Sequence, residues 1–120
     1  MLINELSKIT GVTAHTIRYY EKYGLIKGKR KDGVKSNNYF HYDEETVEKL
    51  ELIRDAKSVG FTLNEIKQLL DAWFNKKFTV EKKIAILDAK LISIDEKIKQ
   101  LKEVKKQIAH FKKEVVKYDC

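Results

Sequence analysis

A basic stretch near the start of the chain holds the residue types that bind nucleic acid. Residues 8–35 carry eight Lys or Arg and two acidic residues, within a chain of 120 residues and net charge +7. Such a dense cluster is typical of a polyanion-binding surface. Within it Arg18 precedes Tyr19. An arginine can donate two hydrogen bonds to guanine, and a tyrosine hydroxyl can donate to a phosphate.

The residues around Arg18 are predicted to form two short helices joined by a turn. Apolar residues recur at helical spacing over 3–9, and Gly11 interrupts them. Thr13 fits the N-cap of a second helix, and Gly24 fits the position just after its end. This is a helix-turn-helix pattern, whose second helix enters the DNA major groove. Spacing alone leaves an ordinary helical hairpin as the alternative.

Residues 27–42 are predicted to form a small basic β-hairpin. Asp32-Gly33 and the run 36–38 are turn signals, and the aromatic run 39–42 is typical of a strand. The hairpin would supply phosphate contacts, which dominate affinity. A flexible basic loop is the alternative.

A second helical pair follows. Asp43 fits the N-cap of a helix that reaches residue 59. Thr62 and Glu65 form a capping-box pattern, with Phe61 and Ile66 at the flanking staple positions. The pattern predicts a helix over 63–73.

From Thr79 onward the apolar residues follow a heptad pattern, spaced alternately by three and four residues. They are Ile84, Leu87, Leu91, Ile94, Ile98 and Leu101. The apolar pattern then resumes one residue early, at Val104. This shift is either a stammer or the point where the two-helix contact ends and the tail folds elsewhere. A helix this long has too little other sequence to cover its apolar side, so we expect self-association. We place the boundary between a compact domain, 1–75, and a dimerisation helix with a short tail, 76–120.

Several other classes of protein are disfavoured by composition. No apolar run approaches the ~20 residues needed to cross a membrane, and the start lacks a signal peptide pattern. The single cysteine, Cys120, cannot form an internal disulfide or a Cys-x-x-Cys metal site. No nucleophile elbow or glycine-rich phosphate loop occurs. We therefore expect a cytoplasmic protein with no membrane segment, catalytic residues, cofactor or metal site.

The signature of MerR-type transcription regulators is matched by several of these motifs. The resemblance covers residues 2–73. It rests on Val12-Thr13, Thr16 to Glu21, Gly24 to Ile26, Tyr39 to Tyr42, Leu50 to Arg54, Lys57, Gly60 to Leu63 and Glu65-Ile66. It implies a mainly α fold: a winged helix-turn-helix DNA-binding domain followed by a long dimerisation helix that forms an antiparallel coiled coil.

The resemblance also implies partners and a mechanism. A homodimer would bind an inverted-repeat operator in double-stranded promoter DNA, where the spacer between the two polymerase-recognition elements is too long. A signal would change the dimer geometry so that the protein underwinds the DNA and RNA polymerase engages both elements. This uses the deformation energy of DNA as a switch.

The DNA contacts implied by the resemblance come from three elements. They are Thr13, His15, Arg18, Tyr19 and Lys22 of the second helix, Arg30, Lys31, Tyr39 and His41 of the wing, and Arg54 and Lys57 of the second helical pair. Wings of the family usually read Gly-Tyr-Arg, whereas this chain has Asn38-Tyr39-Phe40. Whether His41 or Lys35 replaces that arginine stays open.

The effector region departs further from the family. Metal-sensing members use a cysteine at the start of the dimerisation helix and two in a loop after it, but here that start is Phe78-Thr79-Val80. Trp73, Phe74 and Phe78 are candidates for a small apolar effector pocket, with ordinary core packing as the alternative. Cys120 is either a thiol sensor or an ordinary exposed residue.

Two other functions remain open at this level. One is an effector-independent repressor or architectural DNA-binding protein. The other is a coiled-coil interaction module whose basic patch meets an acidic protein.

Overall fold

The computed structural model describes residues 1–30 and 40–118. Within these ranges the fold is mainly helical, as predicted. The helices are α1 (Ile3–Thr10), α2 (Ala14–Lys22), α3 (Glu44–Ser58), α4 (Leu63–Phe74) and α5 (Val80–Tyr118), and the strands are β1 (Lys29–Arg30) and β2 (Phe40–His41). The chain divides into a compact unit, Met1–Phe78, and a second unit that begins at Thr79.

The predicted helix-turn-helix is formed by α1 and α2. Gly11 ends α1 with φ 74°, a left-handed conformation that costs glycine little. The Thr13 side chain then caps α2, because its hydroxyl accepts the backbone N–H of Thr16 at 3.2 Å. In this turn Gly11 ends α1, and two residues later Thr13 caps α2. The Thr13 cap fixes where α2 begins.

The end of α2 is closed by a Schellman motif. The N–H of Leu25 donates to the carbonyl of Tyr20 at 2.9 Å, and the N–H of Gly24 donates to the carbonyl of Glu21 at 3.1 Å. Gly24 adopts φ 78°, which only glycine reaches without strain. This cap ends α2 and directs the chain towards β1.

The predicted hairpin is present as a two-stranded antiparallel sheet. Lys29 pairs with His41, and Arg30 pairs with Phe40. The turn signals over 32–38 and the predicted wing residues Lys31 and Tyr39 lie outside the described residues.

Side chains cap both α3 and α4, as predicted. The Asp43 carboxylate accepts the backbone N–H and the hydroxyl of Thr46, both at 3.0 Å. At α4 the capping box is complete: the N–H of Glu65 donates to the Thr62 hydroxyl at 3.2 Å, and the N–H of Thr62 donates to the Glu65 carboxylate at 2.8 Å. These caps satisfy backbone donors that a helix start otherwise leaves unpaired.

The core of the compact unit lies among its four helices, with α1 packed on α2 and α3, and α3 packed on α4. Its largest fully buried side chains are Leu6, Ile17, Leu50, Ile53 and Ile66. Burying a side chain of this size contributes about 1.5–3 kcal/mol. Together with the buried Tyr20, Ile17 therefore attaches α2 to the rest of the unit.

The second unit is dominated by α5, which has 39 residues and is about 58 Å long at 1.5 Å per residue. Its first turn is capped by the Thr79 hydroxyl, which accepts the N–H of Lys82 at 3.3 Å. Among the described residues, no helix is both long enough and apolar enough to cross a membrane.

Candidate nucleic-acid interface

One face of α2 is built from exposed polar and aromatic side chains. Ile17 and Tyr20 are buried on the opposite face. The spacing of three, four and seven residues puts the exposed set on a single stripe of the helix. We call this stripe the outer face of α2; it comprises His15, Arg18, Tyr19 and Lys22.

Arg18 projects from the outer face without competition from a neighbouring acid. Its only acidic neighbour at helical spacing is Glu21, whose carboxylate accepts hydrogen bonds from the Gly28 N–H and the Tyr42 hydroxyl instead. Within the described part of the chain, Arg18 forms no ion pair. Its exposed guanidinium can therefore donate to an external acceptor.

Two tyrosine rings extend the outer face at its C-terminal end. The ring centroids of Tyr19 and Tyr23 lie 4.6 Å apart, and the residues are 40% and 51% exposed. Large exposed aromatic side chains are poorly hydrated, and tyrosine hydroxyls are suited to phosphate contacts. The pair therefore adds hydroxyl donors beside Arg18.

The C-terminal half of α3 contributes cations. The Lys57 Nζ lies 5.8 Å from the centroid of the Tyr20 ring, which places this lysine beside α2. Arg54 is exposed and lies one turn earlier, where its Nε is 3.8 Å from Asp55 Oδ1. An exposed ion pair of this kind is worth little, so it leaves Arg54 able to exchange partners.

The hairpin brings further charge next to α2. Lys29 is exposed on β1, opposite the half-buried His41 on β2. Arg30 also lies on β1. Thr13 differs from the other predicted contact residues because its hydroxyl is already used as the N-cap.

A carboxylate network that sequence reasoning missed joins α2 to the hairpin. Glu21 Oε1 accepts the backbone N–H of Gly28 at 2.8 Å, and the Tyr42 hydroxyl lies 3.4 Å from both Glu21 oxygens. Burial and then the Glu21 charge and hydrogen bond raise the pKa of Tyr42 to about 12, against the opposing effect of Arg18. The partners lie 7 and 21 residues from Glu21, so no local pattern indicates them.

One of the candidate effector residues, Phe74, lies at a surface groove. An open groove of about 690 Å³ lies between the end of α2 and helices α3 and α4. Phe74 lines it, with Lys49 Nζ 5.5 Å from its ring, but Trp73 and Phe78 do not. Cys120 lies outside the described residues. Within residues 1–30 and 40–118, no group of three or more His, Cys, Asp or Glu side chains is placed to hold a metal ion.

Comparison with protein-family models gives two matches. Residues 1–73 match the MerR helix-turn-helix family of regulatory proteins, and residues 47–111 match a model described as MerR, DNA binding. Together the two models extend from α1 into the second half of α5.

Individual proteins give the same result. The regulator HmrR of Sinorhizobium medicae is 40% identical over 73 residues, which are 61% of this chain and 48% of that protein. A probable heavy metal-dependent transcriptional regulator of Haemophilus influenzae is 38% identical over 91 residues, 75% of this chain and 67% of that protein. The chain thus spans about half to two thirds of the length of these relatives.

A solved structure matches most of the chain. It is a lead(II)-bound transcription regulator from Ralstonia metallidurans, with a TM-score of 0.80 and 27% identity, and the match covers 94% of this chain and 85% of that one.

The helix-turn-helix, its hairpin and the outer face of α2 define a winged helix-turn-helix protein. The matches make the assignment specific: the chain belongs to the MerR family of regulatory proteins.

Proposed function

We propose that this chain regulates transcription by binding double-stranded promoter DNA in the cytoplasm. The observation that carries the proposal is the outer face of α2, where Arg18 and its exposed neighbours follow a capped helix start. In a helix-turn-helix the second helix reads base edges, and Arg is the side chain best matched to guanine. Arg54, Lys57 and the hairpin cations support the same duplex through its phosphates.

We also propose that the chain acts as a homodimer through α5, arranged as an antiparallel coiled coil. Five of the six heptad residues are exposed in the single chain, Leu91 at 59% and Leu101 at 66%; Ile94 is half-buried. An apolar stripe of this length is covered when a second copy packs against it. A symmetric dimer then matches an operator that is an inverted repeat.

Regulation follows from the dimer geometry. A signal that favours one dimer geometry would change the shape imposed on the promoter, and RNA polymerase would respond to that shape. Smooth bending of a site costs on the order of 1–6 kcal/mol, so a signalling ligand that binds one geometry tenfold more tightly, about 1.4 kcal/mol, shifts the balance measurably. The described residues present no metal-ligand cluster, and we assign no chemical identity to the signal.

The test is selection of random-sequence duplex DNA on the purified chain at about 150 mM salt, where nonspecific phosphate binding is weakened. We expect an enriched inverted repeat with half-sites centred a whole number of helical turns apart. Absence of any enriched motif would contradict the proposal. It would favour a coiled-coil interaction module, whose basic patch meets an acidic protein.

A further inference from the structure

The Glu21 carboxylate sits where both ends of the hairpin join the compact unit. Gly28 directly precedes β1, and its N–H donates to Glu21 Oε1 at 2.8 Å. Tyr42 directly follows β2, and its hydroxyl donates to the same carboxylate at 3.4 Å. One side chain of α2 therefore holds the point where the hairpin leaves the unit and the point where it returns.

The attachment is made in a partly buried setting, and Glu21 itself is half-buried. Gly28 is buried, and Tyr42 is only 4% exposed. A hydrogen bond shielded from water is electrostatically stronger than one made in bulk solvent. The Tyr42 backbone is fixed as well, because its N–H donates to the Met1 carbonyl at 2.7 Å.

The hairpin depends on such an attachment for its orientation. Its described ladder has two residues in each strand, and an isolated two-stranded hairpin is marginally stable at best. A rotation at its base would displace Lys29 and His41 relative to Arg18. The two hairpin side chains must meet one duplex at the same time as the outer face of α2.

We propose that Glu21 is a positioning residue that fixes the hairpin relative to α2, so that both elements engage DNA together. This inference rests on the proposed DNA-binding function. Glu21 itself touches no DNA in this proposal; it acts through Gly28 and Tyr42. The proposal also explains why Glu21 is not the ion-pair partner of Arg18, although it lies three residues away on the same helix.

The test compares four variants of the full chain with the parent: Glu21→Ala, Glu21→Gln, Tyr42→Phe and, as a matched control, Glu48→Ala. Glu48 is an exposed carboxylate on α3. For each variant the affinity for a selected duplex of roughly 30 bp, enough for two half-sites, is measured across a range of salt concentrations. A hydroxyl-radical footprint on the same duplex and the melting temperature of the free protein accompany each titration.

We expect Glu21→Ala to lower the salt slope of log affinity by about one or more, because hairpin phosphate contacts are lost. Its footprint should shrink at the flanks while protection at the half-site centres remains. Glu21→Gln keeps an oxygen acceptor for the Gly28 N–H, so its salt slope and footprint should be close to those of the parent. Tyr42→Phe removes one of the two attachments, so its salt slope should lie between those of Glu21→Ala and the parent. Glu48→Ala should have the salt slope and footprint of the parent.

Three outcomes would overturn the positioning role while DNA binding by the parent stands. One is an unchanged slope and footprint in Glu21→Ala. Another is a lower melting temperature in that variant with slope and footprint preserved, which indicates a purely structural role. The third is a Glu21→Gln variant as defective as Glu21→Ala. Failure of the parent itself to bind the duplex would contradict the proposed function instead.

Discussion

Arg18 and Glu21 lie three residues apart on α2, a spacing at which opposite charges can pair along a helix. The structure separates their roles. Glu21 turns to the interior and accepts hydrogen bonds from Gly28 and Tyr42, whereas Arg18 is exposed. Glu21 therefore does not pair with the Arg18 guanidinium, and Arg18 can donate hydrogen bonds to an external partner.

Replacing Arg18 by Ala should remove sequence selectivity and leave the fold intact. A two-pronged contact to a base is worth about 1–3 kcal/mol of discrimination, and the exposed Arg18 side chain contributes no core packing. Competition binding between the selected duplex and a scrambled one measures the effect. Lys99→Ala, which removes an exposed cation of α5, is the control and should keep the selectivity. An Arg18→Ala variant that binds the selected duplex as tightly as the parent would refute the recognition-helix assignment.

At the scale of elements, the positions of the helices follow from short-range signals. Thr13, Asp43 and Thr62 each cap the helix that the sequence predicted for them. Such caps involve residues two or three apart, which is why the sequence located α2, α3 and α4 to within a residue or two.

Contacts between elements were less accessible from the sequence. The Tyr42 hydroxyl reaches Glu21 across 21 residues, and neither residue carries a local sign of the other. Short-range patterns fix where helices start and stop, whereas the partners of a side chain depend on packing between elements.

The cap of α3 gives a prediction about stability and pH. Asp43→Ala should destabilise the compact unit by about 1 kcal/mol at neutral pH, because the Thr46 N–H and hydroxyl lose their side-chain acceptor. That hydrogen bond holds the pKa of Asp43 below its ordinary value of 3.8. The contribution of the carboxylate is therefore fully present above that value and is lost as the pH falls through the lower pKa of the folded state.

Urea unfolding followed by circular dichroism, at neutral pH and in acid, measures this effect. Asp43→Asn keeps a capping oxygen that does not titrate, so its stability relative to the parent should rise as the pH falls. Asp71→Asn changes an exposed acid of α4 and serves as the control. Its stability relative to the parent should not rise as the pH falls. A constant difference between the parent and Asp43→Asn at all pH values would contradict the assigned role of the carboxylate.

At the scale of the whole molecule, the single chain leaves the apolar side of α5 uncovered. The residues Leu87, Leu91 and Ile98 are 40%, 59% and 45% exposed. Covering each would add on the order of 1 kcal/mol, and a dimer covers the sets of both copies. The free energy gained along the whole heptad stripe is thus comparable with the 4–15 kcal/mol cost of association.

Placing two lysines in the centre of this stripe should therefore separate the dimer. Leu91→Lys combined with Ile94→Lys puts charge where apolar contact is expected, and burying an unpaired charge is strongly unfavourable. Sedimentation velocity should give a monomer, and the variant should bind a single half-site in place of the inverted repeat. Ala85→Lys with Gln100→Lys adds the same charge at exposed positions off the heptad stripe and should remain a dimer. If the Leu91→Lys, Ile94→Lys variant still sediments as a dimer, the copies associate through some other surface. The inverted-repeat geometry would then have to be derived from that surface.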